Sequence, residues 1–463
     1  MVQQVLQGKI VDTTSAVFFA LVVSLIVLAY SALSLSVLLV ICLIIIGILL
    51  ETGRLNGIER KYGLRLLFSV FAVYLVSSIF FSYAFRDGHY YLTPDCLHYF
   101  SNLGMHSMDI DPGETLFQCY VLFNDGDGLH ELFYRYCILF ANNYLGGASV
   151  LYLMLTNVFF GVLALAPVYR ILLTAVTPDK AFKYALLFGL LSPFHFYSVD
   201  FVRDITVAFF YAHAIEIVVG KFKIRNLFLL VVFVFIVWGI RLYSGLFLIA
   251  FALYYPVKSM AKNATGRIMV AVLSIIFVVA VVPSLMSLDI YLQSSDEFEL
   301  YSEYNQSRMS TSSLTAQLDL LPSVLREVSL GVYSVIMPFP CFLTIGQAHA
   351  VEQFYMSSVV ATYAFYMYFL AIGLIIMLFG GKYYKKLKFE TDWLLLLLVA
   401  VYIVFNLSHP DTRRLMAIYP IMLLYYVKSK EYCKQTGFNV KSMTQTMTWA
   451  YFILSVVYMV IKA

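Results

Sequence analysis

Charge is scarce in this sequence. Charged residues make up only 13% of its 463 residues, whereas hydrophobic residues make up 61%. A soluble domain usually carries about 25% charged residues. Residues 16–50 contain no formal charge at all. As one helix this stretch would reach about 52 Å at ~1.5 Å per residue, against a bilayer core of ~30 Å, so we predict two shorter membrane helices with a turn near Ser31.

Several familiar motifs are also missing. The sequence has no P-loop, no G-x-G-x-x-G at a strand-to-helix junction and no H-E-x-x-H, so the energy for any reaction must come from the substrate or from an ion gradient. Its six cysteines include no C-x-x-C pair, which argues against a structural zinc site. Cys96 and Cys119 share one loop and could form a disulfide in an oxidising space, or remain free thiols. The scattered basic residues do not indicate a nucleic-acid partner.

What the sequence does contain is a succession of apolar runs. We therefore predict an all-α fold, a polytopic transmembrane bundle of about 12–14 helices that forms a single integral membrane domain over residues 1–463. Segment 328–345 contains Pro338 and Pro340, which favour a broken or re-entrant piece. The predicted spans are 14–30, 33–50, 64–84, 147–175, 184–198, 205–219, 227–240, 243–256, 268–286, 357–380, 391–407, 413–427 and 446–461.

The positions of lysine and arginine predict the topology. Membrane proteins keep these residues in cytoplasmic loops. Six loops carry 20 of the 31 basic residues, and placing them in the cytoplasm puts the N-terminus there too. Two larger loops, approximately 85–146 and 287–356, then lie outside and are expected to contain short amphipathic helices. The six basic loops are 51–65, 177–183, 220–226, 257–267, 381–390 and 428–441.

The first outer loop supplies two candidate catalytic carboxylates. Asp87 follows a predicted span, and Asp95 follows Pro94 at a predicted helix start. Either carboxylate could act as general base for a sugar hydroxyl, or bind a divalent metal that holds a phosphate. The alternative is that Asp95 only caps the helix.

A second group of charges lies where Pro193 interrupts an apolar run. Asp200, Arg203 and Asp204 are spaced i, i+3, i+4, so we predict that they share one helical face. Ionisable groups at the mouth of a membrane helix are costly and usually functional. A purely local Asp–Arg pair is the alternative.

A third group precedes a span that Pro420 is expected to break. His409, Arg413 and Arg414 lie at its start, where positive charge opposes the helix dipole, so helix stability does not explain the arginines. A phosphate bound there would be favoured by both the dipole and the guanidinium groups. Arg241, at another outer helix junction, is expected to join the same cleft.

Together these motifs resemble the bacterial membrane glycosyltransferases of the GT-C superfamily and the related O-antigen-type polysaccharide polymerases. The resemblance differs in two places, since Cys96 follows Asp95 where many relatives carry a second acid, and Arg413–Arg414 replaces an Arg-Tyr pair. The matching features are Asp95 with Tyr99, the amphipathic segment 128–147, the Asn-containing span 155–172, the stretch with Ser192, Pro193, Ser198, Arg203 and Asp204, and the Arg-rich segment 409–420.

The resemblance implies glycosyl transfer on the extracytoplasmic face of the bacterial inner membrane. The donor would be a sugar on polyprenyl phosphate or diphosphate, and the acceptor a growing glycan. Asp95, or else Asp87, would be the base, and Arg203, Arg413 and Arg414 would bind the leaving phosphate, with Asp200, Asp204, Arg241, His409 and Tyr99 contributing to binding. No cofactor is required, although a divalent metal is compatible with the scheme. Membrane lipids and other polysaccharide-assembly proteins are the expected partners.

Three alternatives remain open at this point. The first is a repeat-unit polymerase of the same pathway. The second is a transporter or flippase for polysaccharide or lipid-linked oligosaccharide, which predicts ionisable residues within the membrane; Glu216 and His213 are the few candidates. The third is a non-catalytic scaffold of a polysaccharide assembly.

Replacing the candidate base gives a direct test. We predict that membranes carrying Asp95→Asn, supplied with lipid-linked oligosaccharide, form no glycan product, because an amide cannot accept the hydroxyl proton. Product would be measured by chromatography of the extracted lipids. Full activity of the variant would exclude Asp95 from this role.

Overall fold

The fold is built from helices alone in the part of the chain that can be described. The computed structural model describes residues 13–86, 128–260, 322–336, 338–342, 345, 351–387, 392–405 and 413–462. Within those ranges there are 15 α-helices and no strand, which confirms the predicted all-α helical bundle.

Within residues 13–86 and 128–260, the helices follow one another through connections of one to five residues. Two short 3₁₀ helices, Tyr383–Lys386 and Arg414–Ile418, complete the set. The α-helices are α1 (Thr13–Tyr30), α2 (Leu35–Gly53), α3 (Gly57–Arg86), α4 (Gly128–Tyr144), α5 (Val150–Leu173), α6 (Pro178–Leu191), α7 (Pro193–Val199), α8 (Asp204–Val219), α9 (Ile224–Ile240), α10 (Leu242–Met260), α11 (Ser323–Ile336), α12 (Val351–Phe379), α13 (Leu394–Phe405), α14 (Tyr419–Gln435) and α15 (Val440–Lys462).

Five of these helices are long and apolar enough to cross a membrane: Thr13–Tyr30, Leu35–Gly53, Gly57–Ser82, Val150–Leu173 and Phe354–Phe379. Their lengths of 18 to 26 residues match the ~20 residues that a bilayer core requires. The protein is therefore a membrane-embedded helical bundle.

The uncharged stretch at the start of the chain forms two helices, as predicted. α1 ends at Tyr30, and the turn that follows places Ala32 and Leu33 in the left-handed region at φ 52° and 60°. The backbone N–H of Leu33 donates to the carbonyl of Leu28 at 2.8 Å, which satisfies a group that the helix end would otherwise leave open. The length limit set by the bilayer thus explains the turn near Ser31.

The core forms around α5, which is buried along nearly its whole length. It packs against α2, α3, α6, α7 and α8. A helix enclosed on all sides must be apolar all round, and α5 satisfies this with a few polar exceptions. Two of those exceptions are Asn157 near the start of α5 and Arg170 near its end. At ~1.5 Å per residue they lie about 20 Å apart, so they mark opposite ends of the bundle.

The end near Arg170, which we call the lysine end, is held by a partly buried ion-pair network. The Arg170 guanidinium donates to both carboxylate oxygens of Glu216, from Nε at 2.6 Å and from Nη2 at 2.8 Å. Its Nη2 also lies 2.8 Å from Glu51 Oε2. Nearby, Lys180 and Lys434 both pair with Glu431 at 2.9 Å. These contacts join α2, α5 and α8, and α6 to α14.

The chain breaks once within the span predicted over 184–198 and again just after it. α6 ends at Leu191, and Pro193 begins the short helix α7, because a proline lacks the N–H that a helix interior needs but fits its first turn. Residues 200–203 then form a non-helical link before α8 starts at Asp204. The predicted common helical face for Asp200, Arg203 and Asp204 is therefore wrong.

The structure partly covers the two predicted outer loops. The first contains α4, and residues 87–127 lie outside the described ranges. The second contains α11 and the start of α12, and most of its other residues also lie outside. α11 ends at Ile336, shortly before Pro338, so the segment 328–345 is broken as predicted.

Gly161 fixes the close approach of α5 to α7. A Cβ added there would lie 1.9 Å from Ser198 Oγ and 2.6 Å from Ser198 Cβ, far inside van der Waals contact. Ser198 is fully buried, and its hydroxyl donates to the carbonyl of Phe194. Only glycine fits at this crossing, which positions α7 and the link that follows it.

We predict that Gly161→Ala lowers the apparent unfolding temperature, at a cost of about 1–3 kcal/mol from overpacking. Gly53→Ala is the control, since a Cβ there meets no atom within 4 Å. The double variant Gly161→Ala/Ser198→Gly should recover part of the loss, because it removes both clashing atoms. Equal unfolding temperatures for Gly161→Ala and the control would contradict the assignment.

Candidate functional site

Asn157 organises the link between α7 and α8. This fully buried side chain donates from Nδ2 to the carbonyl of Asp200 at 2.8 Å and to that of Val202 at 2.9 Å. Its Oδ1 accepts a hydrogen bond from the Tyr134 hydroxyl of α4. Carbonyls that a continuous helix would satisfy are thus satisfied by one amide, and this holds Arg203 and Asp204 at the start of α8.

Asp204 forms a buried ion pair with Arg241. Arg241 Nη1 lies 2.5 Å from Asp204 Oδ1, and the two residues are 9% and 3% exposed. Arg241 is the single residue between α9 and α10. The hairpin is tight because Gly245 lies against the α9 backbone, where a Cβ would be 2.5 Å from Trp238 Cα. The Arg241 side chain therefore reaches α8 from the turn of a helical hairpin.

Other arginines act on the same carboxylate. The positive charges of Arg413 and Arg203, as well as that of Arg241, stabilise ionised Asp204. The 3₁₀ helix Arg414–Ile418 packs against α8 and brings Arg413 to this end. Arg414 holds the backbone of its segment to α13, since its carbonyl accepts from the Tyr402 hydroxyl at 3.0 Å. We call Arg203, Arg241, Arg413 and Arg414, with Asp204, the arginine cluster.

Pro420 begins a helix and does not break one. It lies in the first turn of α14, directly after the 3₁₀ helix, where its missing N–H has no partner to lose. The interruption predicted at Pro420 is instead a change from 3₁₀ to α geometry at Tyr419, one residue before the proline.

His130 lies beside the arginine cluster, in the first turn of α4. Its ring contacts Phe201 of the α7–α8 link at 6.1 Å between centroids. The pKa of His130 is lowered to about 3, chiefly by burial and also by the positive charge of Arg203 and Arg241, while Asp204 acts in the opposite direction. The imidazole is therefore neutral at physiological pH.

The structure brings together six of the residues predicted from sequence: Asp200, Arg203, Asp204, Arg241, Arg413 and Arg414. Four others, Asp87, Asp95, Tyr99 and His409, lie outside the described residues. Sequence reasoning noted the asparagine of the span 155–172, which is Asn157, without giving it a role, and it did not single out His130 or Tyr134. The available signal was polarity within an apolar helix, which Asn157 carries in α5 and which usually marks a structural or functional contact.

The composition of the cluster decides which ligands it suits. The positive charges of Arg241, Arg413 and Arg203 act on Asp204, and the buried Asp200 lies in the adjoining link between α7 and α8. Guanidinium groups only donate hydrogen bonds, and they match phosphate and carboxylate oxygens in pairs. Among the described residues, no group of three or more His, Cys, Asp or Glu side chains could hold a metal ion. The arginine cluster is suited to an anion.

Comparison of this chain with protein-family models, with curated proteins and with solved structures found no match.

The ion pair gives a stability prediction. We expect Asp204→Asn to lower the free energy of unfolding by about 3–5 kcal/mol, because it leaves Arg241 buried without its counter-charge. Thermal unfolding in detergent would measure the effect. Asp179→Asn, an exposed carboxylate at the lysine end, is the matched control and should change little.

The double variant Asp204→Asn/Arg241→Gln should recover part of this loss, since no buried charge is then left unpaired. Additive losses in the two single variants and the double variant would contradict a direct pair.

Proposed function

We propose that this protein is an integral membrane glycosyltransferase that acts on sugars linked to polyprenyl phosphate or diphosphate during surface-glycan assembly. The observation that carries the proposal is the arginine cluster, in which Arg203, Arg241 and Arg413 gather around Asp204 at one end of a membrane bundle. A lipid-linked sugar presents its phosphate at the membrane surface, where such a cluster can bind it.

The arginines act on the leaving group. As the bond between the anomeric carbon and the phosphate oxygen breaks, negative charge grows on that oxygen. Guanidinium groups already oriented toward this position stabilise the charge without reorganising at the moment of reaction. Arg203 and Arg413 are assigned this role, because both act on the same end of α8 as the Arg241–Asp204 pair. Asp204 keeps the arginines close to one another in the absence of substrate.

The acceptor hydroxyl needs a base. Asp95, or Asp87 in its place, takes the hydroxyl proton while the acceptor oxygen forms its bond to the anomeric carbon. The products are the extended glycan and the polyprenyl phosphate or diphosphate. The phosphate ester supplies the driving force, in keeping with a sequence that lacks a nucleotide-binding motif. A divalent metal bound by these carboxylates is compatible with the scheme.

The proposed setting is the bacterial inner membrane, crossed many times, with the N-terminus in the cytoplasm and the arginine cluster on the extracytoplasmic face. The charge distribution supports this orientation. Lys180, Lys428, Lys430 and Lys434 belong to the lysine end, and lysine-rich ends face the cytoplasm in most membrane proteins. A growing glycan and other polysaccharide-assembly proteins are the proposed partners.

Product length separates the alternatives. Purified protein would be incubated with lipid-linked repeat units, and the extracted products would be resolved by electrophoresis. A single shift indicates transfer of one unit, and a ladder indicates a repeat-unit polymerase. Movement of intact lipid-linked oligosaccharide across vesicles, with no new glycosidic bond, would instead support a transporter or flippase.

We predict that Arg413→Gln lowers the rate of product formation about 100-fold, the effect typical of removing one group that stabilises transition-state charge. The apparent unfolding temperature should stay close to that of the wild type, because Arg413 is only partly buried. Arg54→Gln is the matched control, an exposed arginine at the lysine end with a 59% exposed side chain. An Arg413→Gln protein as active as the control would contradict the proposed role.

A further inference from the structure

A groove lies between α12 and α15, away from the arginine cluster. It encloses about 450 Å³, within the ~300–1,000 Å³ usual for sites that bind small molecules. Phe438 and Asn439 line one end of it, and they follow closely on the lysine-rich end of α14. The groove therefore opens at the lysine end of the bundle.

Most of the groove surface is apolar, and small side chains line one of its two walls. Ile372 and Ile376 of α12 form one wall, and Ser442, Thr446 and Ala450 of α15 form the other at a spacing of four residues. That spacing puts all three small side chains on one helical face. The Tyr368 hydroxyl of α12 donates to the carbonyl of Met447 in α15 at 3.1 Å. This bond joins the two helices that form the walls. The result is a fixed apolar channel along the helix axes.

Positive charge surrounds the open end of the groove. Lys382, Lys385 and Lys386 follow the end of α12, and Lys441 lies in the first turn of α15. All four residues are exposed. Among the described residues, no carboxylate pairs with any of these four lysines, whereas Glu431 nearby already pairs with Lys180 and Lys434. The mouth of the groove is therefore cationic, and its length is apolar.

We propose that this groove binds one anionic phospholipid, with an acyl chain along the small-residue wall and the phosphate headgroup among the lysines. Basic pockets beside membrane helices bind anionic headgroups in this way. A second copy of this chain would fit the small residues as well, since such residues let membrane helices approach closely. It would also bring two clusters of lysines together, so the charge favours the lipid. The inference does not depend on the proposed glycosyl transfer.

Lipid binding would be measured on the purified full-length protein by native mass spectrometry. Phosphatidylglycerol and phosphatidylcholine with the same acyl chains would be titrated separately, and the apparent unfolding temperature recorded at each concentration. We expect one bound phosphatidylglycerol, and a larger rise in unfolding temperature with this lipid than with phosphatidylcholine. Equal binding of the two lipids would overturn the proposal.

Two sets of variants separate the headgroup from the chain. Lys385→Gln, Lys386→Gln and Lys441→Gln should each weaken phosphatidylglycerol binding about fivefold, equivalent to about 1 kcal/mol, while Lys61→Gln, an exposed lysine elsewhere at this end, should not. Thr446→Phe should abolish retention of the lipid by filling the groove. Gln445→Phe is its control, because Gln445 is exposed on the same helix and does not line the groove.

Two results would overturn the proposal. One is retention of phosphatidylglycerol by Thr446→Phe at the wild-type level. The other is a dimer of the wild-type protein, detected by cross-linking in lipid nanodiscs, that Thr446→Phe converts to monomer; this would assign the groove to a second copy.

Discussion

The buried ion pair between Asp204 and Arg241 is the interaction on which this end of the molecule depends. Removing two charges from water costs several kcal/mol each, and their mutual attraction repays that cost only when the geometry is good. Here the pair joins the first residue of α8 to the single residue between α9 and α10. Three helix ends are thereby held at one point, and Arg413 approaches the same carboxylate from the 3₁₀ segment. Arg203 acts on it as well, so three guanidinium groups stabilise the charge of one buried carboxylate.

Irregular backbone is concentrated at the same end. The chain is broken at Ser192–Pro193, at residues 200–203, at Arg241 and at the 3₁₀ segment before α14. Within a membrane such breaks are tolerated only where the protein itself satisfies the exposed backbone groups. Asn157 does this for the link before α8, and the approach of Gly245 to Trp238 allows the Arg241 turn. The opposite end is held differently, by the Arg170–Glu216–Glu51 network and by lysines. The two ends of the bundle thus differ, since one is held by carboxylates, Arg170 and lysines and the other carries the arginine cluster.

Much of the fold follows from the sequence because a bilayer imposes simple rules. Helix length, the turn near Ser31 and the apolar character of α5 all result from a fixed membrane thickness and from the cost of unsatisfied polar groups in it. The predicted spans correspond to described helices in most cases. The interruptions were harder to place. Pro193 and Pro420 were recognised as breaks, but both lie in the first turn of a helix, where proline begins the helix. Only the surrounding packing distinguishes a proline that begins a helix from one that breaks it.

By itself, the sequence determined that the chain is an all-α membrane protein and that its aspartates and arginines collect at a few helix starts. It did so because the residue composition and periodicity of a helix depend on whether lipid, water or protein surrounds it. The tertiary structure alone decided which of those groups meet. Asp204 contacts Arg241 across 37 positions, Asn157 reaches the carbonyls of Asp200 and Val202, and His130 is buried beside them. The spacing of Asp200, Arg203 and Asp204 suggested one helical face, yet the link at 200–203 is not helical. Local periodicity cannot anticipate a side chain from a distant helix that takes over the backbone hydrogen bonds.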